Sequence, residues 1–166
     1  VVVTHAPPSL GCGDDGYALP KPRSVALYGV MVKGGAGMPA GHEGPDVVEL
    51  DTPDALLVVS INQSYPRLGA YDAARYAWRV SPSRASQVQY VLATKDRTVV
   101  AVFEPTEWRP ATRANFPGYE RELRGRLGFV GHPAGGDAAA RYLGKQLPPG
   151  FRFSGNGYRY AGSLGD

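Results

Sequence analysis

The run "QYVLATKDRTVVAVFEP", residues 89–105, constrains the fold of this chain more than any other. Two β-rich runs, "QYVLAT" and "TVVAVFEP", flank the polar triplet Lys95-Asp96-Arg97. Val, Tyr, Thr and Phe suit a pleated, half-buried surface, and a short polar break lets the chain reverse. The pattern predicts an antiparallel hairpin.

Other segments add to that hairpin. "ALLVVSI", residues 55–61, is a short continuous apolar run and reads as a buried strand. "NQSYPRLG" follows as a loop. "AYDAARYAW" has helical character, with Tyr71, Ala74 and Trp78 spaced by three and four. Ser81 or Ser83 can cap a short helix carrying "SRASQV", and Pro82 suits an early helical position. "RLGFVG", residues 126–131, reads as a strand, and "GDAAARYLG", residues 136–144, as a helix stopped by Gly144. "FRFSGNGYRYAG" closes the chain as a hairpin around "SGNG". Together these predict an α+β fold: a curved, mostly antiparallel sheet or half-open barrel with two or three short helices.

Residues 1–50 read differently. Gly and Pro break "APPSLGCGDDGYALPKP" and "KGGAGMPAGHEGPD", leaving room for one strand, "SVALYGVMV", residues 24–32. The expected division is an N-terminal extension over 1–50 and one α+β domain over 51–166. The apolar fraction, 43%, is adequate for one core.

Charge follows the same division. Residues 1–53 set Lys21, Arg23 and Lys33 against Asp14, Asp15, Glu43, Asp46, Glu49 and Asp51, a net −3. Residues 54–166 carry a net +6, which returns the whole-chain +3. A basic domain behind an acidic leader favours an anionic partner, while plain solubility explains the same balance. No apolar run is long enough for a membrane span. With no basic leader ahead of an apolar stretch, and a single cysteine, Cys12, a cytoplasmic setting without a membrane is expected.

Catalytic motifs are weak. Cys12 has only His5, His42 and His132 as possible bases, with no motif joining them, and no Gly-x-Ser-x-Gly elbow is present. "THAPP", residues 4–8, resembles the late histidine motif of calcineurin-like metallophosphoesterases, but "GHEG" lacks the second His of that family's paired motif. "KGGAGMPAG" lacks the Lys-Ser/Thr and the helix of a phosphate loop. Glu104 and Glu107 could serve an enzyme with His132, yet as lone carboxylates they read as solvated. No metal and no cofactor is expected.

The remaining constellation pairs tryptophan with arginine. "ARYAWRVSPSRA", residues 74–85, sets Trp78 among Arg75, Arg79 and Arg84, and "PTEWRP" sets Trp108 before Arg109. Indole faces stack on bases, and guanidinium groups pair with phosphates. Trp78 and Trp108 could form two walls of an aromatic cage. Either could equally be core, and a cage wall is itself half buried. Asn62 and Ser64, in "INQS" at the end of the apolar strand, could read a ligand edge or hold a turn.

From Leu56 to Gly162 the order "INQS", "ARYAWRVSPSRA", "YVLATKDRTVVAVFEPTEW", "RLGFVG" and "RYLGKQLP" resembles a little-characterised bacterial domain family. Such domains occur beside or fused to GIY-YIG-type nuclease domains. A second likeness is to the PUA-like group, which includes the EVE and YTH domains. It implies a small barrel that binds RNA or modified bases, with Trp78 and Trp108 as cage candidates. The YTH sequence signatures are missing. The expectation is a non-catalytic nucleic-acid-binding module, for RNA or DNA, using Trp78, Trp108, Arg75, Arg79, Arg84, Arg109, Asn62 and Ser64. A nucleotide- or nucleic-acid-processing enzyme, or a small-molecule or peptide binder, is the alternative.

Overall fold

A computed structural model describes residues 45–165. The anticipated strand at 24–32, Cys12, His5 and His42 lie outside them. In chain order the elements are β1 (Ala55–Ser60), α1 (Tyr65–Arg75), α2 (Pro82–Ala85), β2 (Tyr90–Lys95), β3 (Thr98–Pro110), β4 (Leu127–Pro133), α3 (Gly136–Tyr142) and β5 (Tyr158–Gly162). The five strands form one open sheet in the order β4-β3-β2-β1-β5. β1 and β2 run parallel, and the other three pairings are antiparallel. This is the α+β architecture expected from the sequence.

Each face of the sheet is covered. Leu57 and Val59 of β1, with Val91, Ala93 and Phe103, pack under α1 and α2 against Ala73, Ala74 and Trp78. The alternate residues Leu56, Val58, Leu92 and Val102 face α3, where Ala138 and Tyr142 complete a second core. The period of two along each strand assigns its side chains to the two layers. This double coverage is why β1 is apolar throughout instead of alternating. Val48, ahead of Asp51, is also buried in the second core, and its N–H donates to Gln146 O at 2.8 Å. The packed unit therefore includes residues before position 51.

The β2–β3 hairpin turns on Asp96 and Arg97, at φ 49° and 65°. Two successive left-handed residues give the tight reversal whose twist matches paired strands. β3 then bulges between Pro105 and Glu107 and runs on to Pro110 against β4. A bulge is where a strand tolerates a proline.

Three local expectations are revised. Helix α1 begins at Tyr65, inside the anticipated loop, because Pro66 sits in its first turn; Gly69, at φ 73° and ψ 178°, kinks it. Trp78 lies beyond the helix, which ends at Arg75. Its N–H donates to Leu127 O at 2.8 Å, and Leu127 N–H returns a bond to Trp78 O at 2.9 Å. The C-terminal segment supplies one strand and not two. Phe151 is buried, with Phe153 edge-on to it at 5.2 Å, so ring burial holds that arm.

The outer edge of β4 is closed by a side chain. Tyr71 Oη donates to Gly131 O at 3.0 Å and accepts from Gly131 N–H at 3.2 Å. One phenol takes the place of a strand neighbour. A Cβ at Gly131 would stand 2.2 Å from Glu104 O, so only glycine fits this register.

Candidate functional site

A parallel pair needs a long crossover, and residues 61–89 supply it between β1 and β2. Its middle, Tyr76–Val80, passes over the α1 face as a strap. One side of the strap is bonded to β4 through Leu127, and the other meets β5 where Tyr158 Oη donates to Arg79 O. The edge strands of the open sheet are thus linked across one face.

A cleft of about 670 Å³ lies beside the strap. Three chain segments far apart in sequence build it. Ser60, Asn62, Gln63 and Ser64 come from the end of β1. Tyr76, Ala77 and Trp78 come from the strap. Gly155, Asn156 and Gly157 come from the turn before β5, and Leu123 and Arg126 complete the wall. Pairing of β1 with β5 forces this meeting, and Ser60 N–H donates to Gly157 O at 2.8 Å. Gly157 takes φ 75°, and a Cβ there would reach 3.9 Å from the Trp78 ring.

Trp78 forms the floor. It is 9% exposed, and its indole N–H donates to Ala74 O at 2.6 Å, satisfying a carbonyl in the last turn of α1. Tyr158 meets the ring edge-on at 6.3 Å. Trp78 is therefore core and cleft lining together. Asn62 holds a turn: its Oδ1 accepts from Asp96 N–H at 3.0 Å, bracing the β2–β3 hairpin. Ser64 Oγ reaches Ile61 O only at 3.5 Å. Among the described residues, no hydrogen bond occupies the side chains of the exposed Gln63 and Asn156. Arg126 lends one guanidinium N–H to Ala77 O at 3.3 Å.

The other anticipated residues lie elsewhere. Trp108 packs on Phe129 at 5.4 Å and lines a separate cleft of about 420 Å³ with Pro82, Val88, Glu107 and Leu127. Its indole nitrogen is buried with no hydrogen-bond partner among the described residues. Trp78 and Trp108 belong to one core but do not wall one cleft. Arg75 turns inward, donating to Tyr119 Oη at 3.2 Å and pairing with Asp72 at 3.3 Å beneath the rings of Tyr71 and Phe116. Arg84 donates to Leu164 O at 2.6 Å and lies over Tyr160 at 4.3 Å. Arg109 pairs with Glu107 at 2.5 Å, and its hydrogen bond holds that carboxyl below the usual range. Arg79 is exposed, with no side-chain partner among the described residues.

Glu104 and His132 stand opposite each other across β3 and β4, both exposed. Glu107 lines the Trp108 cleft instead. Among the described residues no cluster of three or more His, Cys, Asp or Glu could hold a metal ion. No helix there is long and apolar enough to cross a membrane.

Burial pushes the Tyr119 hydroxyl up to about 12, and Asp72 adds to the shift against the opposing pull of Arg75. The Tyr119 ring stacks on Tyr76 at 3.9 Å, and the single Tyr76 Oη proton is shared between Arg121 O and Ala111 O, the latter at 3.2 Å. These bonds fasten the β3–β4 connection to the strap and set the wall that carries Leu123 and Arg126.

Tyr76, Arg126 and the Gly155–Gly157 turn carried no functional signal in the sequence. "SGNG" announces a turn, but only the β1–β5 register brings it beside "INQS". Comparison of the chain with protein-family models, curated proteins and solved structures gave no match.

Proposed function

We propose that this domain is a non-catalytic nucleic-acid-binding module that seats a base in the cleft floored by Trp78. The observation that carries the reading is the convergence of two amide side chains, Gln63 and Asn156, that have no hydrogen-bond partner among the described residues, on one concave, partly aromatic surface. Gln63, Ser64 and Asn156 offer donors and acceptors suited to a base edge, and Arg126 offers a cation at the rim. The volume is within the range of small-ligand sites. The net +6 of residues 54–166 supports an anionic partner. The sequence likeness to PUA-like domains points the same way.

The two-tryptophan cage is not part of the proposal, since Trp108 lines another cleft. Arg75 and Arg84 are held by internal partners and Arg109 by Glu107 at the surface, so the phosphate contacts proposed here are Arg79, which is exposed, and Arg126, which lines the cleft and gives only one N–H to Ala77 O.

The test is direct titration with single-stranded RNA, single-stranded DNA and duplex DNA at two salt concentrations, read by fluorescence anisotropy. Binding that weakens with salt is expected for at least one single strand. Gln63→Ala and Asn156→Ala should each weaken it about fivefold, the loss of roughly one hydrogen bond. No binding to any of the three nucleic acids would overturn the proposal.

A further inference from the structure

A second cleft, of about 440 Å³, adjoins the first. Tyr76 and Leu123 line both, so one ridge separates them. Beyond the ridge the second cleft carries Arg67 from α1 and Arg121 from the β3–β4 connection. Both side chains are exposed and have no partner among the described residues. Arg113 is held at the same connection, donating to Glu120 O at 2.8 Å. Among the described residues, Glu120 is the only carboxylate lining this cleft.

We propose that the second cleft is a backbone-tracking subsite, in which Arg67 and Arg121 take phosphates of a single-stranded nucleic acid whose base enters the first cleft. The proposal rests on the reading of the first cleft given above. Continuity across the Tyr76–Leu123 ridge supplies the path, and the two exposed guanidinium groups of Arg67 and Arg121 supply the charge complementarity. Arginine forks hold phosphate oxygens bidentately, and a cationic groove that follows the backbone is how sequence-tolerant single-strand binders gain affinity. Strand length therefore matters: a mononucleotide fills only the first cleft, and a longer strand crosses the ridge.

The experiment compares wild-type protein with the double variant Arg67→Ala/Arg121→Ala. The probes are fluorescein-labelled single-stranded DNA and RNA of about ten nucleotides, within the span of known single-strand sites, and a nucleoside monophosphate as competitor. Both substitutions remove exposed side chains, and a thermal melt by circular dichroism checks that the fold persists. The double variant should lose about tenfold in affinity for the strand at low salt, and its salt slope should fall by about 1.4, two phosphates' worth. Its affinity for the nucleoside monophosphate should not change. Unchanged strand affinity and slope in the double variant, with wild-type binding intact, would overturn the subsite and leave the first cleft standing. Failure of the wild-type protein to bind either strand would overturn both.

Discussion

Trp78 and Leu127 exchange both of their backbone hydrogen bonds, at 2.8 and 2.9 Å, although 49 positions separate them. This single bridge ties the β1–β2 crossover to the edge of the sheet. It also fixes the indole under the cleft, where the ring packs on Tyr158 and donates to Ala74. Substitution here tests packing first. Trp78→Ala should cost about 3–5 kcal/mol, the usual loss for a buried large aromatic. Guanidinium unfolding followed by circular dichroism would measure it. A cost below about 1 kcal/mol would show that the ring is not core.

Tyr71 offers a sharper change. Tyr71→Phe keeps the ring, which meets Phe103 at 5.3 Å, and removes the hydroxyl that serves both polar groups of Gly131. Leaving those groups unpaired should cost about 1–3 kcal/mol. Hydrogen exchange should show the effect locally, as faster exchange at Gly131 N–H.

Stability at high pH should depend on Tyr119. Its hydroxyl is raised from 10.0 to about 12 in the folded protein, so the folded state favours the neutral phenol. The stabilisation is fully present below the unfolded value and is lost as pH rises through the folded one. Unfolding midpoints should therefore fall between pH 10 and about 12, and Tyr119→Phe should flatten that part of the profile. An unaltered profile in the variant would assign the alkaline loss to other groups.

The two tryptophans should separate in spectroscopy. Trp108→Phe removes a buried N–H that has no partner among the described residues, so its stability cost should be small, about 1 kcal/mol or less. It leaves Trp78 as the single emitter. If a base enters the cleft, emission of this variant should change on titration with the bound strand, and strand affinity should match wild type. A loss of affinity would place Trp108 in the interface instead.

Part of this architecture is legible in the sequence alone. β1 followed from one apolar run. The β2–β3 hairpin followed from two β-rich runs around Asp96 and Arg97, and the short helix α3 from its small residues and Gly144. These are local signals, carried by propensities and turn chemistry within windows of ten or so residues. The same signals misplaced Trp78. Its spacing from Tyr71 and Ala74 fits a helix face, yet the chain leaves the helix at Arg75 and the indole folds back to Ala74. The ring still reaches the helix, so spacing and structure agree on the contact and differ on the backbone.

Only the tertiary structure decided the parallel pairing of β1 with β2, the placement of β5 against β1, and hence the cleft itself. Gln63 and Asn156 share a wall because two strands about a hundred positions apart are neighbours in the sheet. No local pattern encodes that, since the choice of partner depends on burying both faces of β1 at once. The division of the arginines was decided the same way. By composition Arg75, Arg79, Arg84 and Arg109 are equal cations, yet packing turned Arg75 and Arg84 to internal partners, paired Arg109 with Glu107 at the surface and left Arg79 in solvent. Sequence determined which segments become strands and turns, because that preference resides in neighbouring residues. Tertiary structure decided which polar groups remain free to bind, because that depends on what folding brings beside each one.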